Sequence, residues 1–239
     1  MNESDTKKIV ECSFNSFFRP TGTSIENNIF DLHLSDIQSF KIKSCIIPIS
    51  VYTFDSRNNK ISLLEGATPK TITITPGFYN STTIVVELQA RFDALASLTY
   101  VVSYNNITNK ITITSNSNTT FVATLNDSYY ELGIASTDLN VASTSHAFDN
   151  NVDLSGLGCI YVFSSLKGVR LINSNYQALC CILINENSSE IAVFENGSDD
   201  YTFLRASDID GLQFTFYDSR MRKITIEKDY IINLNFIVE

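Results

Sequence analysis

The stretch Tyr230-Ile231-Ile232-Asn233-Leu234-Asn235-Phe236-Ile237-Val238 carries the most regular hydrophobic pattern in the chain. Apolar side chains stand at every second position from Tyr230 to Val238. In an extended strand all of these side chains point to the same face. We therefore predict a β-strand with one face packed against a hydrophobic core.

The same period of two recurs upstream of this strand. Leu212, Phe214 and Phe216 alternate with polar residues. Further strand-like runs cover Val10–Phe14, Phe40–Tyr52, Ile61–Leu64, Cys159–Phe163, Gln177–Ile184 and Ile191–Phe194, and a polar connection through Asn27 and Asn28 separates the first two. Pro48 lies within the run from 40 to 52 and cannot donate a ladder hydrogen bond. That run is therefore either two strands or one edge strand with a bulge.

The middle of the chain contains a helix-like pattern. Apolar residues recur at intervals of four, four and three at Ile84, Leu88, Phe92 and Leu95. Asn80 or Ser81 can cap such a helix. Strand-like runs precede and follow it at Thr71–Thr75, Tyr100–Tyr104, Ile111–Thr114 and Phe121–Leu125, and a short helical turn is predicted at 129–133. Residues 136–158 are rich in Ser, Thr, Asn and Asp, which is typical of a long surface loop.

These patterns predict an all-β dominated fold: a single jelly-roll antiparallel β-sandwich with an inserted small α+β lobe. We expect residues 1–69 and 151–239 to form the sandwich, and residues 70–150 to form the inserted lobe with its long polar loop. An immunoglobulin-like sandwich is disfavoured because the chain contains no Trp, and the immunoglobulin signature is Cys…Trp…Cys.

The composition excludes several functions. The chain has 239 residues, a net charge of −9, two His and only 18% charged residues, against 23 Asn, 28 Ser and 22 Thr. An acidic surface repels phosphates, so no specific nucleic-acid binding is expected. The longest apolar stretch, Cys45–Tyr52, is broken by Pro48 and Ser50, and we expect no membrane span. The polar N-terminus shows no secretory signal, and an odd number of Cys then favours reduced thiols.

Candidate catalytic and metal sites are weak. His33 and His146 stand alone in loop-like sequence, without a nucleophile elbow or a phosphate-binding motif. Asp149–Asp153, and Asp199-Asp200 with Asp208–Asp210, could offer oxygen ligands to calcium, but polar loops explain both clusters and no twelve-residue calcium loop is present. Adjacent Cys180 and Cys181 point to opposite faces of a strand and cannot jointly bind zinc. We therefore predict no catalytic residue, no metal site, no cofactor and no enzymatic activity.

Two sets of residues suggest contacts with partners. Arg220–Lys223 is a basic cluster expected in a hairpin turn, where it is either solvated or in contact with an acidic neighbour or packaged nucleic acid. The aromatic pairs Tyr129-Tyr130 and Phe78-Tyr79 could line a sugar site, although aromatic residues at the ends of elements more often serve as core or interface anchors.

Several segments resemble the minor capsid (penton) proteins of virophages and Polinton-like viruses. The segment from Ser39 to Tyr52, with its Ile-Pro, is followed by the Asn-rich turn Asn58-Asn59. Pro76-Gly77-Phe78-Tyr79-Asn80 is similar to that family's helix entry, and Glu131-Leu132-Gly133-Ile134 is similar to its Leu-Gly-Phe ending. Leu212–Asp218, followed by a basic turn and the last strand, resembles its closing pattern. Ile134 replaces the usual aromatic residue, and the turn after Asp218 lacks the family's Gly.

The resemblance implies a structural capsid protein that forms homopentameric pentons at the five-fold vertices of an icosahedral virion. Its partners would be identical copies and the double jelly-roll trimers of the viral major capsid protein, and its location the virion, assembled inside the host cell. The alternative is a carbohydrate- or receptor-binding viral β-sandwich of the attachment or lectin-like kind. A cupin-like enzyme is less favoured still, because its metal site usually needs several His.

Overall fold

The computed structural model describes residues 8–19, 24–25, 28–95, 97–125, 129–133, 142–166, 178–184, 191–203 and 208–238. In chain order, its strands and helices are β1 (Lys8–Asn15), β2 (Ile29–Leu34), β3 (Ile37–Pro48), β4 (Lys60–Glu65), β5 (Thr68–Thr73), α1 (Ser81–Leu95), β6 (Tyr100–Asn105), β7 (Lys110–Ser115), β8 (Phe121–Leu125), α2 (Tyr129–Leu132), β9 (Ser145–Ala147), β10 (Cys159–Ser164), β11 (Ala178–Leu183), β12 (Ile191–Glu195), β13 (Thr202–Phe203), β14 (Ile209–Asp218), β15 (Lys223–Ile224) and β16 (Ile231–Val238). The chain divides into two compact units, residues 1–51 with 157–239, and residues 52–156.

The first unit is a sandwich of two antiparallel sheets. Sheet one has the order β1-β16-β3-β12, and sheet two has the order β11-β10-β14, with β2 pairing on the far side of β14. When β1, β2, β3, β10, β11, β12, β14 and β16 are numbered from one to eight, the two sheets read 1-8-3-6 and 2-7-4-5. This is the strand order of a jelly roll. The predicted fold class is confirmed.

Register explains why β16 is the centre of sheet one. It pairs with β1 on one side and with β3 on the other. Ile232, Leu234 and Phe236 are fully buried, as the period of two predicts. The core between the sheets is aromatic at one end, where the rings of Phe14 and Phe214 lie 5.5 Å apart in an edge-to-face contact.

Pro48 is the last residue of a strand and does not interrupt one. β3 is one continuous strand that ends at Pro48, and β16 and β12 pair on its two sides, so β3 is not an edge strand. The register shift on the β16 side lies near Lys43, between the partners of Asn233 and Leu234. The chain leaves the sandwich after Val51, three residues past the proline.

The second unit is an α+β lobe with its own core. One sheet has the order β5-β4-β8 and the other β6-β7-β9. Helix α1 buries Ile84, Leu88 and Phe92, as its spacing predicts, whereas Leu95 is 45% exposed. The helix therefore contributes a continuous apolar ridge to the lobe core.

The lobe begins earlier than the sequence analysis expects. The sequence predicts a lobe over residues 70–150, whereas the compact unit spans Tyr52–Gly156. The difference arises from β4, which the sequence pattern places in the sandwich. Its residues pair with β5 on one side and with β8 on the other, both within the lobe.

Two further predictions were wrong. The polar connection before Phe40 contains β2, whose residues Phe30, Leu32 and Leu34 pack against the sandwich core. The predicted loop over 136–158 contains β9, which extends the β6–β7 hairpin, and it buries Phe148. In both segments the apolar residues are few and set among Asn, Ser and Asp, and pairing with a neighbouring strand outweighs that local composition. Of the helices described, neither has the length and apolarity needed to cross a membrane.

Candidate interaction surfaces

His33 lies on β2, in a strand where the sequence analysis expects a loop. Its side chain is 72% exposed and lies between two carboxylates, with Nε2 2.8 Å from Asp31 Oδ1 and Nδ1 2.8 Å from Asp210 Oδ1. Asp210 is on β14, the neighbouring strand. The imidazole therefore links two paired strands, and both ring nitrogens already face an acceptor.

His146 is a buried packing residue, so the prediction of a solvated His in a loop was wrong. It lies on β9 and is 6% exposed. Its Nε2 lies 2.9 Å from the Phe121 carbonyl oxygen, and its ring packs edge-to-face on Phe121 at 4.7 Å. A buried imidazole bonded to a backbone carbonyl holds the end of β8 against β9.

The acidic clusters are built into the fold through hydrogen bonds and ion pairs. Within residues 149–153, the backbone N–H of Asn150 donates to the Gly133 carbonyl oxygen at 2.7 Å, and the Val152 side chain is buried. In the second cluster, Asp199 accepts from Lys41 at 2.9 Å. Across the described ranges, no group of three or more His, Cys, Asp or Glu side chains is arranged so that it could hold a metal ion.

The basic cluster forms a turn organised by one buried acid. Asp218, at the end of β14, is 1% exposed. It accepts from the backbone amides of Arg220 and Arg222, each at 2.9 Å, and from Arg222 Nε at 2.7 Å. The turn between β14 and β15 is therefore a rigid cationic loop held by an internal carboxylate.

The aromatic candidates divide into exposed and structural residues. Phe78 and Tyr52 are 43% and 39% exposed and pack edge-to-face at 5.0 Å. Tyr79 packs against the buried Phe54 and donates its hydroxyl to the Thr75 carbonyl. Tyr130 is 51% exposed. The side chain of its neighbour at position 129 lies outside the described residues.

A small cavity opens at the edge of sheet one where β12 leaves β3. Its volume is about 210 Å³, and its lining combines Phe40 and Leu179 with the polar side chains of Asn196 and Ser198. The Asn196 amide group donates to the Ile42 carbonyl at 3.0 Å and so closes part of the gap in the sheet.

An exposed aromatic pair follows β1 at one edge of sheet one. Phe17 and Phe18 are 68% and 79% exposed, and their rings lie 5.4 Å apart. The turn that carries them is fixed by Ser16, whose backbone amide donates to the Tyr230 carbonyl and whose hydroxyl donates to Asp229 Oδ1 at 3.0 Å. Phe17 and Phe18 therefore lie on a turn that is fixed by hydrogen bonds.

A second apolar surface lies at the opposite edge of the same sheet. Ile191 and Val193 on β12 are 61% and 56% exposed. Val193 pairs with Ile46 on β3, which pairs in turn with Ile231 on β16. These side chains form an apolar row on the face of sheet one that points away from the sandwich core.

Sequence reasoning missed both surfaces, although each leaves a signal. Phe17 and Phe18 are consecutive aromatic residues that break the alternation of β1. Ile191 and Val193 share their strand with the inward-facing Ala192 and Phe194, so β12 is apolar on both faces. A strand that is apolar on both faces in an otherwise alternating sheet indicates a contact on its outer side.

Comparisons with known proteins found likenesses among solved structures and none among sequences. No protein-family model and no curated protein sequence matches the chain. Among solved structures, the chain is similar to the crystal structure of the selenomethionine-labelled mavirus penton protein, with 12% sequence identity and a TM-score of 0.49. That likeness covers 98% of this chain and 99% of the other. The assignment of a jelly roll rests on the strand order described above.

Proposed function

We propose that this chain is a structural capsid protein, a minor capsid subunit that forms homopentameric pentons at the five-fold vertices of an icosahedral virion. The observation that carries the proposal is the 1-8-3-6 and 2-7-4-5 strand order. It is the fold implied by the resemblance of the segments Ser39–Tyr52 and Leu212–Asp218 to virophage minor capsid proteins. In this role the protein works by shape and contact and carries out no catalysis.

The two apolar surfaces at opposite edges of sheet one support a ring. A ring of identical copies needs two different surfaces on each copy, one for each neighbour. The β1 edge presents Phe17 and Phe18, and the β12 edge presents Ile191 and Val193. We propose that these two edges face each other on neighbouring copies of the pentamer.

The remaining partners follow from the same proposal. The outer contacts of the pentamer are with double jelly-roll trimers of the viral major capsid protein, and the protein is located in the virion, assembled inside the host cell. No cofactor takes part.

Native mass spectrometry tests the pentamer and its surfaces together. Wild-type protein is expected to give a species of about five times the 26.7 kDa monomer mass. Val193→Asp and Phe18→Asp each place a charge in the proposed contact, so each is expected to weaken association at least about tenfold while leaving the monomer folded. Ile107→Asp is the matched control, because Ile107 is 90% exposed in the lobe.

Two different results would count against the proposal. A wild-type protein that stays monomeric at every concentration contradicts the penton function. If both Val193→Asp and Phe18→Asp still form pentamers, the assignment of the two surfaces is contradicted. The proposal that the protein forms a pentameric ring is then still supported.

A glycan-binding role is the second candidate, and the exposed contact of Phe78 with Tyr52 favours it. Exposed aromatic faces stack on sugar rings, and the two side chains lie close together within the lobe. Glycan-array binding that is lost in Phe78→Ser and kept in Tyr79→Phe supports this role. An array without a signal contradicts it.

A further inference from the structure

Sheet one ends in β1 on one side and in β12 on the other, and both end strands have a free edge. Among the described strands, none pairs with β1 on the side away from β16, and none pairs with β12 on the side away from β3. β12 reads Ile-Ala-Val-Phe-Glu and has no Pro, no Lys and no register shift against β3. Natural proteins usually place such features on an edge strand to prevent pairing with another chain. The free edge of β12 is therefore suited to pairing with a further strand.

One hydrogen bond shows which residues of β12 direct their main-chain groups outward. The N–H of Asn196, the residue after β12, donates to the Lys43 carbonyl oxygen of β3 at 2.9 Å. The N–H and C=O groups of successive residues in a strand point to opposite sides. Val193 and Glu195 therefore point their main-chain groups away from β3, toward the free edge. Their side chains lie on the face of sheet one that points away from the sandwich core.

The same reasoning applies to β1. The N–H of Ser16, the residue after β1, donates to the Tyr230 carbonyl oxygen at 3.0 Å, on the side of β16. Ser13 and Asn15 therefore point their N–H and C=O groups away from β16. Phe14 lies between them and is buried in the core. The side chains of Ser13 and Asn15 consequently lie on the outer face of sheet one, as do those of the outward-pointing residues of β12.

The two free edges lie at the same height along the strands. Two rows of directly paired residues cross the sheet from β12 to β1: Val193, Ile46, Ile231 and Asn15 in one row, and Glu195, Ser44, Asn233 and Ser13 in the next. A closed ring relates its copies by rotation alone. When the strands run along the axis of that ring, each row of one copy meets the same row of its neighbour. Outward-pointing residues of β12 then face outward-pointing residues of β1.

The strand directions also fit a ring. β16 is antiparallel to β1 and to β3, and β12 is antiparallel to β3, so β1 and β12 run in opposite directions. Rotation about the ring axis keeps these directions, and β12 of one copy therefore meets β1 of the next copy antiparallel. In an antiparallel pair, two opposite residues that point toward each other exchange both N–H···O hydrogen bonds.

We propose that β12 of one copy pairs with β1 of the next copy as antiparallel strands, so that sheet one continues from copy to copy around the ring. Val193 then lies opposite Asn15, and Glu195 lies opposite Ser13, and each pair exchanges main-chain hydrogen bonds. The following row brings Ile191 beside the turn that carries the exposed aromatic pair. This inference rests on the proposed pentamer and adds main-chain bonding to the contact between its two edges.

Paired cysteines test the register. Ser13→Cys and Glu195→Cys, combined in one chain, alter two exposed positions. In the proposed pairing their Cα atoms lie about 5.5 Å apart, within the range of a disulfide. Oxidation of the purified pentamer is expected to give covalent oligomers up to the pentamer, with a linked peptide of residues 13 and 195 and reversal by dithiothreitol. Ile9→Cys with Glu195→Cys is the matched control and is expected not to link, because residue 9 lies about 13 Å along β1 from residue 13.

A proline separates the main-chain contribution from that of the side chain. Val193→Pro keeps an apolar side chain and removes an N–H that takes no part in pairing with β3, so the monomer is expected to stay folded. The variant leaves the Asn15 carbonyl oxygen of the neighbouring copy without its donor. Native mass spectrometry over a dilution series is expected to show association weakened at least about tenfold. Val193→Ala is the matched control: it keeps the N–H and is expected to weaken association less.

The outcomes separate this inference from the penton function. A wild-type chain that never forms pentamers overturns both. If wild type forms pentamers but Ser13→Cys with Glu195→Cys gives no linked peptide, the strand pairing is overturned and the pentamer remains supported. The same conclusion follows if Glu195→Cys alone links two copies, or if Val193→Pro associates as strongly as Val193→Ala.

Discussion

Among the glycines that the structure describes, Gly133 has the least room for a side chain. Its φ is +78°, and an added Cβ would lie 2.7 Å from the Asn151 carbonyl oxygen and closer still to that of Asn150. The backbone of residues 150–151 lies close to Gly133 because the backbone N–H of Asn150 donates to the Gly133 carbonyl oxygen. Glycine is needed here both for its left-handed conformation and for the missing side chain.

Gly133→Ala is expected to destabilise the lobe by about 3 kcal/mol or more, since strain and a clash with backbone act together. Urea unfolding monitored by circular dichroism measures the loss in the free energy of unfolding. Gly66→Ala is the matched control: Gly66 also has a positive φ, +61°, but an added Cβ meets nothing within 4 Å. Its cost is about 1 kcal/mol. Equal losses in the two variants contradict this account of Gly133.

Glu65 is a buried acid held in its charged form. Its side chain is 6% exposed. Burial raises the pKa of Glu65, but hydrogen bonds from Lys70, from the amides of Ser97 and Leu98 and from the Tyr100 hydroxyl outweigh burial and lower it to about 2. The carboxylate thereby joins β4, β5 and β6 at one end of the lobe.

Glu65→Gln is expected to cost about 2 kcal/mol at pH 7 and almost nothing near pH 2. The folded pKa lies below the unfolded value, so the charged carboxylate contributes stability above about pH 4.3, and this is lost as the pH falls toward 2. Urea unfolding of wild type and variant at several pH values measures the difference. Glu195→Gln, at an exposed position, serves as the control. A difference for Glu65→Gln that stays constant with pH contradicts the proposed network.

At the scale of elements, the stability of helix α1 depends on the hydrogen bonds that Asn80 makes at its N-terminus. Asn80 Oδ1 accepts from the amides of Thr82 and Thr83 at 3.0 and 2.9 Å. Asn80→Ala removes this cap and is expected to lower stability by about 1 kcal/mol. Asn80→Asp keeps the acceptor and is expected to match wild type within about 0.5 kcal/mol. Thermal unfolding compares the two, and an Asp variant as unstable as the Ala variant contradicts the cap.

Elements with a clear period were predictable, and elements set by pairing were not. Ile84, Leu88 and Phe92 marked α1, and the alternation from 230 to 238 marked β16, because burial on one face imposes those spacings. β2 was missed although Phe30, Leu32 and Leu34 alternate with Asp31 and His33, because the alternation is short and Asn27 and Asn28 precede it. Its stability comes from pairing with β14, which lies far away in the sequence.

At the scale of the whole molecule, the boundaries of the lobe show the limit of local patterns. The strand Lys60–Glu65 has the same alternation whether it pairs inside the sandwich or inside the lobe. Its pairing with β5, and with β8 about sixty residues away, places it in the lobe. The proposed ring surfaces have the same origin, because strand order alone places Phe18 and Val193 at opposite edges of one sheet.

The central claim is that this chain is the vertex subunit of a capsid, and electron cryo-microscopy of purified particles tests it most directly. We predict density for five copies of the jelly roll around each five-fold axis, with the β1 edge of one copy against the β12 edge of the next. Particles whose vertices are built from another protein, or that carry this chain only away from the vertices, would contradict the claim.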